Sequence, residues 1–208
     1  MNQSVRLMMP SPYPSIAEHL AWAKWWAFPW RHAHDDWKGD EYRAVDALYR
    51  SRRWTPRDFM GVTACLPPTP PSTVLHLALA SEEQLSLALT LVHRTFRTEP
   101  ATPLSDSHHL WCMRLSKALP PDMLLPSMDP LQLLHSWVEP ATWQRLRLRF
   151  SRERVQRLEG NNTSLENANS RLNTLWQAVV WRIKTLPDDT TLPDSNAKEA
   201  SDVMPIHH

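Results

Sequence analysis

Apolar residues recur at helical intervals over most of this chain, and prolines separate the resulting segments. The most regular pattern begins at Ser164, where apolar residues are spaced three and four positions apart. This spacing predicts an amphipathic helix that turns one face toward a core. Its apolar residues are Leu165, Ala168, Leu172, Leu175, Trp176, Val179 and Ile183.

Capping sequences and prolines delimit the shorter predicted helices. Ser15-x-x-Glu18 and Ser81-x-x-Gln84 have the spacing of a capping box, and the second helix is expected to reach about Arg97. Further helices are expected over 41–50, from Thr55-Pro56, from Asp106, from Asp129-Pro130, from Glu139-Pro140 and over 151–159. The segment 72–80, STVLHLALA, is compatible with either a strand or a helix, because its apolar run is short.

The first predicted helix is apolar around much of its circumference. One side carries Ile16, Leu20, Ala23 and Ala27, and Pro29 ends the helix. Trp22, Trp25 and Trp26 extend the apolar surface beyond this side. Such a helix is either deeply buried or carries a surface for a partner.

The segment 137–150, WVEPATWQRLRLRF, combines tryptophan with arginine and has two competing interpretations. RLRLRF alternates with a period of two, which favours a strand. We predict a helix instead, because Leu, Arg and Gln favour helices and Glu139-Pro140 provides a start. Trp143, Leu146 and Phe150 then share one face.

The pattern as a whole predicts an all-α fold: an irregular orthogonal pack of short proline-delimited helices with a long C-terminal amphipathic helix. We expect a single helical domain over 15–186, with a proline-rich connector near 67–71. Residues 1–14 are expected to be a disordered N-terminus. Residues 187–208 are expected to be a disordered acidic tail, in which five carboxylates against one lysine give a net charge of −4.

Composition excludes several kinds of protein. The chain has 11 Trp and 19 Pro but only 3 Gly, which argues against a glycine-rich phosphate loop and against a turn-rich β fold. A net charge of +1 makes the whole molecule no obvious polyanion binder. Because no apolar run has the length of a signal peptide or membrane span, we expect a cytoplasmic protein with Cys65 and Cys112 reduced.

The residues that could carry chemistry are sparse. His32, His34, Asp35 and Asp36 form the cluster most like a metal site, but no matching ligand pair occurs elsewhere, so a solvated turn is expected. Neither cysteine has a base and an orienting group in its local sequence. We therefore expect a protein that is not an enzyme and that has no cofactor and no bound metal.

An arginine run extends from Arg145 to Arg157 and leaves three interpretations open. It is a solvated or salt-bridged surface, a protein-binding surface, or a nucleic-acid site in which arginine contacts phosphate and tryptophan stacks on bases. Arginine and tryptophan are also frequent at protein-interface hot spots, so the run does not distinguish the two kinds of partner.

The C-terminal half resembles a known family. Its features are LPPDMLLPSMDPLQLLHSWVEPATWQRLRLRF, then VQRLE and LNTLWQAVVWRIK. A leucine-rich helix over Leu131–Val138, a Trp-x-x-Arg-Leu-x-Leu-Arg segment over Trp143–Arg149 and a tryptophan-containing helix over Leu172–Ile183 are similar to the accessory proteins of type III secretion systems, the SctK/YscK/OrgA/MxiK group. The resemblance covers about residues 104–185.

This resemblance implies a cytoplasmic adaptor that lies against the inner membrane through protein partners. Its partners would be the pod protein of the sorting platform and the cytoplasmic domain of the inner-membrane ring protein, with neither nucleic-acid binding nor membrane insertion expected. The candidate partner-binding residues are Trp25, Trp26, Arg145, Arg149 and Arg152, and the three arginines would face solvent or an acidic partner. A small nucleic-acid-binding protein using Arg145–Arg157 and a secretion chaperone are the alternatives.

Overall fold

A computed structural model of the protein describes residues 14–39, 42–43, 58–97, 104–123, 128–160 and 169–185. Within these ranges the fold is all-α, as predicted, with eight α-helices and one short hairpin. The helices are α1 (Ile16–Ala27), α2 (Ser72–Leu79), α3 (Glu82–Phe96), α4 (Asp106–Ser116), α5 (Leu131–Trp137), α6 (Pro140–Leu146), α7 (Arg152–Glu159) and α8 (Asn169–Thr185). The strands are β1 (Asp58–Phe59) and β2 (Val62–Thr63), and single 3₁₀ turns cover Pro29–His32, Asp35–Trp37, Pro121–Met123 and Arg147–Arg149.

Helix α8 lies at the centre of the core. It packs against α2, α3 and α5, while α3 also packs against α4 and α2 against α1. The predicted core residues of α8 are buried, and Trp176 is completely inaccessible to solvent. This confirms the apolar face read from the sequence, although Leu165 and Ala168 lie outside the described residues.

The predicted caps account for the starts of several helices. Both capping boxes form: the Ser15 hydroxyl accepts from the backbone N–H of Glu18, and Ser81 does the same for α3. The Asp129 carboxylate accepts from the first backbone N–H of α5 at 2.8 Å. The cap of α4 is Ser105 rather than the predicted Asp106, because the Ser105 hydroxyl accepts from the backbone at the third helical position.

The arginine-rich segment is helical, which confirms the choice of helix over strand. Helix α6 begins with proline in its first turn and passes into the 3₁₀ turn Arg147–Arg149. Trp143, Leu146 and Phe150 are buried in the main core, as expected. The two-residue alternation has another origin: Leu148 is buried in a second, small cluster with Ala33 and Val62.

The hairpin corrects one local prediction. The helix expected from Thr55-Pro56 is wrong for residues 58–63, which form an antiparallel hairpin. Its turn places Met60 at φ 55° and Gly61 at φ 68°, a left-handed conformation that interrupts a helix.

The ambiguous segment 72–80 is helical as α2. The helix predicted over 41–50 lies outside the described residues except for Tyr42 and Arg43, and both predicted disordered ends lie outside them except for Pro14.

The proline-rich connector lies against α1. The indole N–H of Trp22 donates to the carbonyl oxygen of Pro68 at 3.0 Å, and that of Trp26 donates to the carbonyl oxygen of Cys65 at 2.9 Å. Pro70 is buried between the exposed residues of this segment. The carbonyl oxygens of Pro68 and Cys65 lie outside the helices and have no helical N–H partner, so they are available as acceptors for the indoles.

Candidate interaction sites

The three tryptophans of α1 form the face that the helix turns toward the core. Trp22, Trp25 and Trp26 are 3%, 2% and 2% exposed, and the rings of Trp22 and Trp25 are stacked with centroids 5.1 Å apart. The expectation that Trp25 and Trp26 lie on a partner-binding surface is therefore wrong, because both side chains are buried. Their large apolar area is already buried by α2 and by the segment from Cys65 to Pro70.

Arg145 is also inside the protein, which overturns its expected exposure to solvent. Arg145 is only 2% exposed, and its Cζ lies 3.9 Å from the centroid of the Trp26 ring. The guanidinium donates to the carbonyl oxygens of Trp26, Ala141 and Thr63 at 3.0, 2.8 and 2.9 Å. Burial lowers the pKa of Arg145, and the Cys65 sulfur opposes that shift. The backbone dipoles and the ring together stabilise the buried cation.

Arg147 holds the hairpin to α7. It donates to the Glu159 carboxylate at 2.9 and 3.1 Å and to the carbonyl oxygen of Met60 at 2.9 Å. Glu159 also accepts from the indole N–H of Trp143 at 2.8 Å. One carboxylate thus fixes the start of the 3₁₀ turn relative to the core.

Arg149, another candidate for partner binding, is half-buried at the end of α2. It donates to the carbonyl oxygens of Ala78 and Ala80 at 3.3 and 2.9 Å. Burial lowers its pKa, and the Glu82 carboxylate opposes the shift. A guanidinium at a helix C-terminus satisfies carbonyls that have no partner within the helix. The expectation that Arg149 faces solvent or a partner is corrected accordingly.

The remaining arginines of the run lie closer to the surface. Arg152 is exposed, as expected, and its guanidinium carbon lies 5.6 Å from the centroid of the Trp37 ring. Arg154 pairs with both oxygens of the Asp129 carboxylate at 2.6 and 2.7 Å. Arg157 pairs with Glu153 at 2.9 Å on the exposed side of α7. The partner-binding role of Arg152 stays a prediction.

The positions of the arginines between residues 145 and 157 reduce the support for a nucleic-acid site. A phosphate-binding surface needs guanidinium groups that are free to contact the backbone of the nucleic acid. Arg145, Arg147 and Arg149 instead donate to groups within the protein, and Trp143 is 5% exposed, so it offers no ring for base stacking. The crowding of arginine and tryptophan in this segment is explained by internal packing.

The surface of α1 carries an apolar feature, and the sequence pattern had left open whether it lies in the core or forms a surface for a partner. Ile16 is 90% exposed and Leu20 is 54% exposed, and Ala27 is exposed on the same side. We call Ile16, Leu20, Ala23 and Ala27 the outer stripe of α1. The indoles are larger than these aliphatic side chains, so the helix buries its tryptophan face and leaves Ile16, Leu20 and Ala27 in solvent, with Ala23 half-buried.

A second exposed apolar residue lies on α8. Trp181 is 59% exposed, although every other described tryptophan of the core helices is buried or half-buried. Sequence reasoning missed it, yet the signal was present. Trp181 lies off the three-and-four spacing that defines the buried face of α8, where the pattern calls for a polar residue.

The histidine–aspartate cluster has a local structural role. His34 accepts from the backbone N–H of Asp36 at 3.3 Å and so caps the turn Asp35–Trp37, and Lys38 pairs with Asp35 at 2.8 Å. Over the described ranges, no three His, Cys, Asp or Glu side chains converge as metal ligands would. Over those same ranges, no helix combines the length and the apolar character needed to cross a bilayer.

Comparison of the sequence with models of protein families gives no match, and neither curated proteins nor solved structures match it.

Proposed function

We propose that this protein is a non-enzymatic adaptor of a bacterial type III secretion apparatus, linking the inner-membrane ring to the pod protein of the cytoplasmic sorting platform. It would lie in the cytoplasm and reach the inner membrane through its protein partners. The observation that carries the proposal is the outer stripe of α1, an apolar helix face that the described part of the chain leaves in solvent.

An aliphatic stripe opposite a buried face suits an adaptor. A helix that is apolar on two sides is stable when both sides are covered, and α1 buries only its tryptophan side. Ile16 and Leu20 are four residues apart, so they lie on one side of the helix and can enter the same groove of a partner. Covering them would remove apolar area from water at little cost in order, because α1 is already fixed by Trp22 and Trp26.

The segments that carry the family resemblance also pack against one another. The Trp176 indole N–H of α8 donates to the carbonyl oxygen of Leu133 in α5 at 3.4 Å. The ring of Trp137 stacks on Trp176 with centroids 5.9 Å apart, and the ring of His135 lies 4.7 Å from that of Trp143. The leucine-rich helix, the Trp–Arg segment and the closing helix therefore pack as one structural unit, which supports the proposal.

The test is co-expression with the pod protein and the cytoplasmic domain of the ring protein from the same genome, followed by size-exclusion chromatography with light scattering. We expect the parent chain to elute in a complex at physiological salt. Leu20→Glu places a charge in the outer stripe and should release one partner, because burying an unpaired carboxylate is unfavourable.

Ala17→Glu is the matched control, since it adds the same charge to an exposed position of α1 outside the stripe. It should retain the complex, and circular dichroism should give the same helix content for both variants. Elution of the parent chain alone would contradict the proposed function. Retention of every partner by Leu20→Glu would instead show that the outer stripe does not lie in an interface.

A further inference from the structure

Trp181 is placed where a solvent-facing helix normally carries a polar side chain. Leu172, Trp176, Val179 and Ile183 form the buried side of α8, while Trp181 is on the opposite side and 59% exposed. A single exposed apolar residue is ordinary on a protein surface. The surrounding charge distinguishes this one.

The charge on α8 is entirely positive. Residues 169–185 contain Arg171, Arg182 and Lys184 and no aspartate or glutamate. Lys184 lies three residues after Trp181, so the two side chains share a side of the helix. Arg182 donates to the hydroxyl of Ser107 at 3.0 Å. Because that hydroxyl is neutral, the contact does not compensate the charge of Arg182.

Lys184 is held toward α2 by His76. The Lys184 ammonium lies 2.5 Å from Nε2 of His76, and the same nitrogen lies 3.6 Å from the Glu18 carboxylate. His76 Nδ1 lies 2.6 Å from the carbonyl oxygen of Ser72 and donates to it. The Glu18 carboxylate therefore offsets part of the charge of Lys184, the exposed cation beside Trp181.

We propose that the outer side of α8 at Trp181 binds an acidic protein surface, with the indole in an apolar pocket and the Lys184 ammonium against a carboxylate. This inference rests on the proposed function for the choice of binding partners. Tryptophan supplies the buried area of an interface hot spot, and the cations set orientation and association rate. Three cations over seventeen residues, with one exposed ring, are too few for the cationic groove and stacking platform of a nucleic-acid site.

The α8 surface is separate from the outer stripe of α1. Helix α2 packs against both helices and lies between them in the chain of contacts from Glu18 through His76 to Lys184. One surface is aliphatic and the other is cationic with a single indole. This difference in chemistry matches two different partners, as an adaptor requires.

The experiment measures the affinity of the full-length chain for the pod protein and for the ring-protein domain, each as a purified probe, over a range of salt concentrations. Trp181→Ala should weaken binding to one probe by about tenfold or more. Lys184→Gln should weaken the same complex and flatten its salt dependence. Leu110→Ala, at a 49% exposed position of α4, and Arg157→Gln, on the exposed side of α7, are controls that should leave affinity within about twofold.

Each other outcome counts against the inference. If the parent chain binds and Trp181→Ala binds equally well, the α8 surface is not the interface and the proposed function stands. If Trp181→Ala weakens binding but the charge variant and the salt concentration have no effect, the partner surface is not acidic and the inference is wrong. If the parent chain binds neither probe, the inference and the proposed function fail together. Binding of an oligonucleotide that Trp181→Ala abolishes would replace the protein partner with a nucleic acid.

Discussion

The guanidinium of Arg145 lies against the ring of Trp26 and also donates to the carbonyl oxygen of Trp26, at 3.0 Å. These two residues come from α6 and from the last turn of α1. The same guanidinium reaches the carbonyl oxygen of Thr63 in β2. One side chain therefore joins the first helix, the hairpin and the arginine-rich segment, which are far apart in sequence.

Replacement of Arg145 should destabilise the fold strongly. In Arg145→Met the carbonyl oxygens of Trp26, Ala141 and Thr63 lose the guanidinium as a donor inside the protein, which costs about 2–4 kcal/mol in the free energy of unfolding. Arg145→Lys should lie between Arg145→Met and the parent, because an ammonium cannot reproduce the planar fork. Urea denaturation followed by circular dichroism measures these differences.

Arg152→Ala serves as the control for Arg145, because Arg152 belongs to the same run but is exposed. Its free energy of unfolding should stay within about 0.5 kcal/mol of the parent value. Equal effects of the two substitutions would contradict the internal role assigned to Arg145.

Truncation of Trp26 should cost far more stability than truncation of Trp181. Trp26→Ala removes a side chain that is 2% exposed and should cost about 3–5 kcal/mol of unfolding free energy. Trp181→Ala removes one that is 59% exposed and should change stability by about 0.5 kcal/mol or less. Thermal and urea unfolding of both variants checks this, and a large loss of stability in Trp181→Ala would show that its ring packs within the fold.

The Asp129–Arg154 ion pair should make stability depend on pH in the acid range. Burial acts to raise the pKa of Asp129, but the contacts with Arg154 and with the Leu131 N–H outweigh it and hold the pKa below its ordinary value of 3.8. A carboxyl with a lowered folded pKa stabilises the fold above its unfolded pKa. This contribution is lost as pH falls through the folded pKa.

Asp129→Asn provides the comparison, because its side-chain oxygen can still accept from the Leu131 N–H while the charge is gone. The parent should be the more stable of the two near pH 6, and the difference should shrink below about pH 4. Urea unfolding at several pH values measures it. A difference that stayed constant down to pH 2 would exclude a contribution from the ionised carboxylate.

Local patterns identified the helices where one periodicity dominated. The apolar spacing of α8 marked its buried side because Leu172, Trp176 and Val179 face a core on a single side. The capping boxes at Ser15 and Ser81 marked helix starts, since the hydrogen bonds involved are between residues three apart. The hairpin at Gly61 was missed, because its positive φ is set by a turn that a proline-initiated helix pattern concealed.

The candidate site was harder to predict because burial depends on residues distant in sequence. For α1, the pattern alone did not decide which of two apolar faces is covered. The contacts of Trp22 with Pro68 and of Trp26 with Cys65 and Arg145 decide it. Arginine is usually exposed, so the sequence placed Arg145 at the surface. Its burial depends on backbone acceptors from three separate segments, which no local pattern reveals.

The most direct test of the adaptor account is the mass of the complex formed when both partners are present together. Size-exclusion chromatography with light scattering should give one peak that contains this chain, the pod protein and the cytoplasmic domain of the ring protein. Leu20→Glu should remove one partner from that peak, and Trp181→Ala should remove the other. Mutually exclusive binding of the two partners to the parent chain, or a peak that contains this chain alone, would contradict the account.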